Sequence, residues 1–181
     1  MKKRLLVLVL ALVMLTGCAG QAGIATPSPD TQEDTLQLVF DLPDLQDNMV
    51  SSDVFAQHKL TLINIWGTYC PPCIDEMPEL NKLADTLAAD DMLLLGLVVD
   101  GDQLAAAQRI QGEQALTYQS LRPDDAMYGI LTSVVEVVPT TWFVDSRGTL
   151  LGMVEGANTA EGYMEIVREV LDDMADAGVK P

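Results

Sequence analysis

Segments of apolar and alternating residues predict five strands after position 35. Residues 36–40 alternate apolar and polar side chains, as a strand with one buried face does. Residues 60–66 are rich in strand-forming side chains, and residues 92–99 form a continuous apolar run that is typical of a central strand covered on both faces. Residues 141–144 and 150–154 flank a turn of sequence Asp-Ser-Arg-Gly and therefore predict a hairpin.

Apolar residues recur at helical spacing between and after these strands. One helix is predicted to begin near Cys73 and to be interrupted and kinked at Pro78, because proline lacks the backbone N–H that an inner helical turn uses. Residues 102–111 and 124–131 predict two shorter helices. Residues 163–174 carry one apolar face and predict the final helix.

The order of these elements predicts an α/β fold, with a central mixed sheet flanked by helices on both faces. The first half has the order strand, helix, strand, so its two strands are expected to be parallel with a right-handed crossover. The second half ends in a hairpin and a helix. Asn158, with Glu161 three residues later, resembles a capping box at the start of that last helix.

The first 35 residues lack this pattern and resemble an export and anchoring segment. Three basic residues at positions 2–4 precede an apolar stretch at positions 5–16 that is too short to span a bilayer comfortably. The sequence Leu-Thr-Gly then leads to Cys18, as in the bacterial lipobox, where the cysteine is lipidated and becomes the first mature residue. We therefore expect a signal peptide at residues 1–17 and a lipidated, flexible tether at residues 18–35. An ordinary secretory leader with an unrelated cysteine is the alternative.

The length of the remaining segment indicates how many domains it forms, and its charge indicates which partners it can bind. Residues 36–181 suit one globular domain, which we expect to be a monomer. The chain has a formal net charge of -17, and so acidic a surface argues against nucleic acid, whose phosphates it would repel. The lipid anchor predicts that this domain is held outside the cytoplasm at the bacterial membrane.

Chemistry is indicated by two cysteines, Cys70 and Cys73, at the predicted junction of a buried strand and an amphipathic helix. This spacing at a helix start brings the two sulfurs within disulfide distance. The positive end of the helix dipole and its free N–H groups stabilise a thiolate at Cys70, which we expect to be the more exposed cysteine and the nucleophile. Cys73 is expected one turn inward, where it can resolve a mixed disulfide.

Other uses of the cysteine pair are disfavoured. A structural zinc site needs four ligands, and only Cys18 and His58 remain as further cysteine or histidine, so no metal is expected. Copper delivery is a weak alternative, because the one histidine, His58, lies in a polar segment and is expected to be a surface residue. A purely structural disulfide would not need the position between strand and helix. We therefore expect a redox-active disulfide that works without any other cofactor.

Two segments resemble the thioredoxin superfamily and, within it, the TlpA/ResA-like family of membrane-tethered thiol–disulfide oxidoreductases. One is Asn-Ile-Trp-Gly-Thr-Tyr-Cys-Pro-Pro-Cys-Ile-Asp-Glu-Met-Pro-Glu-Leu at residues 64–80, and the other is Val-Val-Pro-Thr-Thr-Trp-Phe-Val-Asp at residues 137–145. The resemblance extends over residues 36–174. It implies a thioredoxin-like fold with an N-terminal β-hairpin extension at residues 36–51.

The resemblance also implies roles for the residues around the cysteine pair. Cys70 matches the attacking cysteine and Cys73 the resolving one. Pro139 matches the cis-proline beside the disulfide, and Val138 before it would offer its backbone to an incoming substrate strand. The remaining residues expected at the substrate site are Trp66, Tyr69, Pro71 and Pro72. Of these, the tryptophan is expected to pack under the disulfide.

Two interpretations of Glu76 follow from its position in the helix. The family often has an acidic residue three positions after the second cysteine, where it can tune the thiol pKa values or relay a proton, which would make Glu76 part of the catalytic group. A solvated carboxylate favoured by the dipole of the first helical turn is the alternative. Cytosolic thioredoxins have a buried aspartate where this chain has Asn64, which cannot act as a base. Any proton acceptor at this site must therefore be Glu76 or water.

These observations favour an extracytoplasmic disulfide reductase, with a disulfide-introducing oxidase or a non-catalytic binding lipoprotein as alternatives. A peroxiredoxin needs proline and then threonine or serine at fixed distances before its cysteine, and neither cysteine of the pair has them. The resemblance implies oxidised apocytochrome c or a methionine sulfoxide reductase as client proteins. It also implies a membrane thiol-electron transporter as the electron donor.

Overall fold

The computed structural model describes residues 36–178. The predicted signal peptide, the predicted tether and Cys18 lie outside these residues. Within the described range, no helix is both long and apolar enough to cross a membrane.

Seven strands, four α-helices and one 3-10 helix make up the described range. The strands are β1 Asp41–Pro43, β2 Met49–Ser51, β3 Leu60–Trp66, β4 Leu93–Val98, β5 Ser120–Leu121, β6 Thr140–Asp145 and β7 Leu150–Glu155. The α-helices are α1 Pro71–Ala89, α2 Leu104–Glu113, α3 Asp125–Val134 and α4 Ala160–Asp176. The 3-10 helix, Ser52–Gln57, lies between β2 and β3.

β3 is the central strand of a five-stranded mixed sheet with the order β5-β4-β3-β6-β7. It pairs in parallel with β4 and antiparallel with β6, while β5 is parallel to β4 and β7 is antiparallel to β6. Asn64 of β3 lies opposite Gly96 of β4 and Thr141 of β6. The expected mixed sheet, with a parallel strand–helix–strand unit followed by a hairpin and a helix, is therefore confirmed.

The two faces of the sheet bury different helices because side chains alternate along β3. Leu60 packs with apolar residues of α1 and α4, and Trp66 packs with apolar residues of α1 and α2. Ile63 and Ile65 point the other way and pack with α3, the 3-10 helix and the segment before β1. Asn64 is the polar residue on the face covered by α1, so the sheet presents an amide to that helix.

The N-terminal hairpin is present, but the predicted strand at residues 36–40 is wrong. This segment makes only an isolated bridge, between Gln37 and Thr149, and the hairpin strands are β1 and β2. The cause is Asp44, whose buried carboxylate accepts two backbone N–H groups of the following turn at 2.8 and 2.9 Å. These bonds close the turn directly after β1, so the residues that flank the turn pair with each other.

The predicted interruption of the first helix at Pro78 is also wrong. α1 is helical from Pro71 to Ala89 with Pro78 inside it. Met77 and Leu80, on either side of this proline, are fully buried against the core. Packing of this apolar face holds the helix together although the proline removes one backbone N–H.

The start of the last helix differs by one residue from the predicted capping box. Thr159, rather than Asn158, is the N-cap of α4, and its hydroxyl accepts the backbone N–H of Gly162 at 3.1 Å. The 3-10 helix and the two-residue strand β5 were not predicted. Such short elements have too few residues to show a hydrophobic period.

The turn between β6 and β7 depends on the buried residue Asp145. Its carboxylate accepts the backbone N–H groups of Arg147 and Thr149 and also the Arg147 guanidinium, at 2.8 to 2.9 Å. Burial raises the pKa of Asp145, but these hydrogen bonds outweigh that effect and lower the pKa below the usual value of 3.8. The ionised form of this carboxylate therefore stabilises the folded domain.

We expect Asp145→Asn to destabilise the domain by about 1–3 kcal/mol at neutral pH, because an amide loses the charge-assisted bonds to Arg147. A lowered folded-state pKa contributes stability that is complete above pH 3.8 and is lost as the pH falls through the folded-state value. Chemical denaturation of both proteins at neutral and acidic pH measures the difference, with Asp85→Asn, on an exposed residue, as the control. A difference that does not shrink in acid would contradict this account.

Candidate active site

The Cys70–Cys73 disulfide lies where the chain leaves β3 and enters α1. Cys70 is the N-cap of α1, and its Sγ accepts the backbone N–H of Cys73 at 3.3 Å. Pro71 and Pro72 occupy the first helical positions, where no N–H is needed and the fixed φ of proline suits a helix. Cys70 is 5% exposed and Cys73 is completely buried, which confirms the predicted order of exposure.

The loop between β3 and α1 is held in place by Asp100, which follows β4. Thr68 donates its backbone N–H to the Asp100 carboxylate at 3.0 Å, and its hydroxyl bonds to the same carboxylate. The Val99 N–H donates to the Trp66 carbonyl at 2.8 Å. These bonds join the ends of two parallel strands, so the loop that presents Cys70 has a defined position. No local pattern in the sequence indicates this role of Asp100.

The Val138–Pro139 peptide bond is cis, as the resemblance implied. The carbonyl oxygen of Val138 lies 3.6 Å from Cys70 Sγ. Pro139 directly precedes β6, and β6 is the antiparallel neighbour of β3, so the sheet brings these distant segments together. A backbone carbonyl group therefore lies beside the sulfur of Cys70.

The other predicted site residues differ in exposure. Trp66 is completely buried, packs with the two cysteines, and donates its indole N–H to Ser120 Oγ at 3.3 Å. It therefore supports the disulfide from below and does not reach the surface. Tyr69 is 67% exposed, and Pro71 and Pro72 are exposed as well. These three residues form the surface beside Cys70.

A surface groove of about 610 Å³ begins at Tyr69 and Val138 and extends along α3. Tyr128 of α3 exposes half of its surface in this groove. The acidic residues that line the groove are Asp100, Asp102, Asp124, Asp125 and Glu136. No lysine, arginine or histidine is among its lining residues. The groove brings together loops that follow four different elements, β3, β4, β5 and α3, which local sequence patterns do not reveal.

Glu76 is 4% exposed, so its interpretation as a solvated carboxylate is wrong. Its carboxylate accepts hydrogen bonds from Asn64 Nδ2 at 2.9 Å, from the Asn158 N–H at 3.1 Å and from the Tyr163 hydroxyl at 3.2 Å. Burial raises the pKa of Glu76 above the usual value of 4.5, and the three hydrogen bonds reduce this rise without cancelling it.

Three residues that surround Glu76 and Asn64 were not predicted as site residues from the sequence. Tyr163 was interpreted only as part of an apolar helix face, and Asn158 only as a helix cap. Thr141 was interpreted only as a strand residue. Their hydroxyl and backbone groups reach the site because α4 and β6 pack beside α1 and β3, which no local pattern reveals.

The model of the AhpC/TSA family matches residues 37–153, which include both cysteines, Glu76 and Pro139. The chain belongs to the AhpC/TSA family. This AhpC/TSA member has Ile63 and Gly67 where a peroxiredoxin motif would need proline and then threonine or serine before its cysteine. Its chemistry therefore rests on the cysteine pair.

Similar proteins agree with this family assignment. The Pseudomonas aeruginosa protein named thiol:disulfide interchange protein DsbE is 28% identical over 141 residues, which cover 74% of each chain. The Bacillus thuringiensis subsp. konkukian protein named thiol-disulfide oxidoreductase ResA is 25% identical over 174 residues, which cover 93% of this chain and 98% of that one.

Among solved structures, a thioredoxin-family thiol:disulfide interchange protein from Chlorobium tepidum TLS is similar, with a TM-score of 0.63 and 20% identity. The match covers 76% of this chain and 99% of that one. It shows that the fold of this AhpC/TSA member is thioredoxin-like. Together with the named relatives and the Cys70–Cys73 disulfide, the fold shows that the protein is a thiol–disulfide oxidoreductase.

We expect Cys73→Ala to accumulate mixed disulfides with a disulfide-bonded client, whereas Cys70→Ala does not. The reason is that Cys70, the more exposed of the two cysteines, forms the mixed disulfide, and only the completely buried Cys73 releases it. Non-reducing gels after incubation with a disulfide-bonded model protein measure the trapped species, and a variant that lacks both cysteines is the control. Equal trapping by the two single variants would overturn the assigned roles.

Proposed function

We propose that this protein is a disulfide reductase that works outside the cytoplasm and is tethered to the bacterial membrane by a lipid on Cys18. The observation that carries the proposal is the position of Cys70. This cysteine lies at the positive end of α1 and beside the Val138 carbonyl, and its neighbours Tyr69 and Val138 line one end of an open groove. The helix start stabilises the attacking thiolate, and the groove leaves room for a client beside it.

Reduction of a client begins when the Cys70 thiolate attacks one sulfur of the client disulfide. The client S–S bond breaks, a mixed disulfide between Cys70 and the client forms, and the released client thiolate takes up a proton. Cys73 then loses its proton and attacks Cys70 Sγ. The Cys70–Cys73 disulfide forms, and the second client sulfur leaves as a thiolate and is protonated. Two electrons pass from the cysteine pair to the client, and an electron donor must return them.

Glu76 is the group that we propose as acceptor of the Cys73 proton. It follows Cys73 by three residues on α1 and therefore returns to the same helix face one turn later. Asn64 beside it cannot take up a proton. Burial raises the pKa of Glu76 towards the pH range in which thiols ionise, and such matching favours proton exchange.

The groove supports a client with a cationic, extended segment beside its disulfide. Its five carboxylates attract such a segment, and the exposed ring of Tyr128 offers apolar contact. We propose oxidised apocytochrome c or a methionine sulfoxide reductase as the client, and a membrane thiol-electron transporter as the electron donor. A monomer suffices for this scheme, because the groove and the disulfide belong to one chain.

Lipidation of Cys18 is supported by the apolar stretch and the Leu-Thr-Gly sequence that precede it. We expect the wild-type protein, expressed in a bacterium, to partition into detergent and Cys18→Ala to partition into the aqueous phase. Cys70→Ala is the matched control, since it also loses a cysteine but should partition like the wild type. Detergent phase separation with mass spectrometry measures both. A wild type without lipid mass, together with a variant that stays in the membrane, would contradict the anchor.

A disulfide-introducing oxidase is the second candidate function. The N–H of Cys73 and the helix dipole stabilise the reduced form of Cys70, which makes a cysteine pair more oxidising. Against this, α1 to α4 all pack on the sheet within residues 36–178, which leaves no inserted helical domain of the kind that disulfide-introducing members of the superfamily carry.

We expect a reduction potential nearer to about -270 mV, as in thioredoxin, than to about -120 mV, as in a strong oxidase. Equilibration with glutathione at a series of ratios measures it, and the variant that lacks both cysteines should show no such transition. A potential at the oxidising end, with net disulfide formation in a reduced client, would replace the reductase by the oxidase.

A further inference from the structure

One turn of α1 after the disulfide, four buried side chains from four elements close a ring of hydrogen bonds. Asn64 Nδ2, from β3, donates to Glu76 Oε1 at 2.9 Å and to Thr141 Oγ1 at 3.1 Å. Thr141 Oγ1, from β6, lies 3.0 Å from the hydroxyl oxygen of Tyr163. The Tyr163 hydroxyl, from α4, donates to Glu76 Oε2 at 3.2 Å and completes the ring.

The number of hydrogens on each donor fixes the direction of every hydrogen bond in this ring. Asn64 uses both amide hydrogens, one on Glu76 and one on Thr141. The Tyr163 hydroxyl has one hydrogen, which goes to Glu76, so the bond between Tyr163 and Thr141 must be donated by the Thr141 hydroxyl. With the Asn158 N–H added, the carboxylate accepts three hydrogen bonds, an arrangement that suits its ionised form.

Only one of these three partners can also accommodate a protonated Glu76. The amide nitrogen of Asn64 and the backbone N–H of Asn158 can donate but cannot accept. The Tyr163 hydroxyl can turn its hydrogen towards Thr141 Oγ1 and accept a hydrogen bond from the protonated Glu76 Oε2. Tyr163 is therefore the partner whose hydroxyl responds to the protonation state of the carboxyl group.

We propose that Tyr163 is a positioning residue that sets the pH at which Glu76 takes up a proton, and through Glu76 the pH dependence of the cysteine pair. The inference deepens the proposed function and, in its second part, rests on the coupling of Glu76 to the thiols. The net effect of the Tyr163 hydroxyl is to favour the ionised carboxylate. A hydrogen bond to a charged group is stronger than one between neutral groups, so loss of this donor disfavours the carboxylate more than the protonated acid.

No other titratable side chain around Glu76 is hydrogen-bonded to its carboxylate among the described residues, so none can take the role of the Tyr163 hydroxyl. Cys73, Asp75 and Glu79 share α1 with it, and Glu79 forms an ion pair with Lys82. Tyr118 approaches from the segment before β5, but its buried hydroxyl has no hydrogen-bond partner among the described residues. Glu76 also lines a surface depression of about 370 Å³, through which protons can exchange with water.

The first test uses the oxidised protein, in which no thiol titrates. The pH titration of the Glu76 carboxyl carbon is followed by NMR in the wild type, in Tyr163→Phe and in Tyr118→Phe. We expect the midpoint of Tyr163→Phe to move to higher pH, because the carboxylate loses a donor, and the midpoint of Tyr118→Phe to stay at the wild-type value. A Tyr163→Phe midpoint at or below the wild-type value would overturn the proposal.

A second pair of variants covers the case in which Tyr163→Phe does not fold. Thr141→Val removes the donor that orients the Tyr163 hydroxyl, whereas Thr141→Ser keeps a hydroxyl at that position. We expect the Glu76 midpoint to rise in Thr141→Val and to return to the wild-type value in Thr141→Ser. Equal midpoints in the two variants would overturn the ring as the controlling element.

The link to the thiols is tested separately in the reduced protein, by the pH dependence of Cys70 alkylation. We expect Glu76→Gln to shift the alkylation profile to lower pH, because a nearby negative charge disfavours the thiolate. In Tyr163→Phe, Glu76 should be protonated over a pH range in which it is ionised in the wild type. Within that range we expect faster alkylation of Cys70 in Tyr163→Phe than in the wild type. If Glu76→Gln leaves the profile unchanged, the proposed coupling of Glu76 fails, while the carboxyl titration still decides the role of Tyr163. If only Tyr163→Phe leaves it unchanged, the second part of the Tyr163 proposal fails.

Discussion

The active site depends on the complete burial of β3 between its two neighbouring strands and the helices on both faces of the sheet. All seven residues of this strand are buried. Its parallel partner β4 brings Asp100 to the loop before Cys70, and its antiparallel partner β6 brings Val138 to the sulfur itself. The two pairings of β3, with β4 and with β6, therefore position the disulfide from both sides of the loop that presents Cys70.

The same strand places a polar group where an apolar one would pack more favourably. Asn64 is buried on the face that α1 covers, and it meets the Glu76 carboxylate there. Burial raises the pKa of Glu76, so stability associated with this group is complete below the usual value of 4.5 and is lost as the pH rises through the folded-state value. At a pH above the folded-state pKa of Glu76, the buried carboxylate therefore lowers the stability of the domain. In return, the first turns of α1 carry a group that can bind a proton.

Two opposing electrostatic effects meet at Cys70. The N-terminus of α1 and the Cys73 N–H stabilise a thiolate. In the coupling that we propose, a negative charge on Glu76 disfavours the same thiolate. Only the second effect changes when Glu76 takes up a proton. A side chain that changes the proton affinity of Glu76 can therefore shift the balance without touching either sulfur.

Local patterns were sufficient for the longer strands and the α-helices and for the reactive pair. The apolar runs of β3 and β4 and the helical period of α1 depend on neighbours a few residues apart, so the sequence alone determined them, together with the cysteine spacing at the helix start. The cis bond at Pro139 followed from family resemblance rather than from any local pattern. Even among local features, Asp44 shifted the hairpin and Thr159 replaced Asn158 as the helix cap, because hydrogen bonds of single side chains decide such positions.

Only the tertiary structure decided the environment of Glu76. In the sequence, a carboxylate in the first turns of a helix is equally compatible with solvent and with burial. Its burial depends on the packing of α4 beside α1, and its partner Tyr163 lies 87 residues further along the chain. Thr141 and Asn64 are likewise 77 residues apart. No periodicity or spacing records contacts of that separation, because they exist only when the sheet and both helices have packed together.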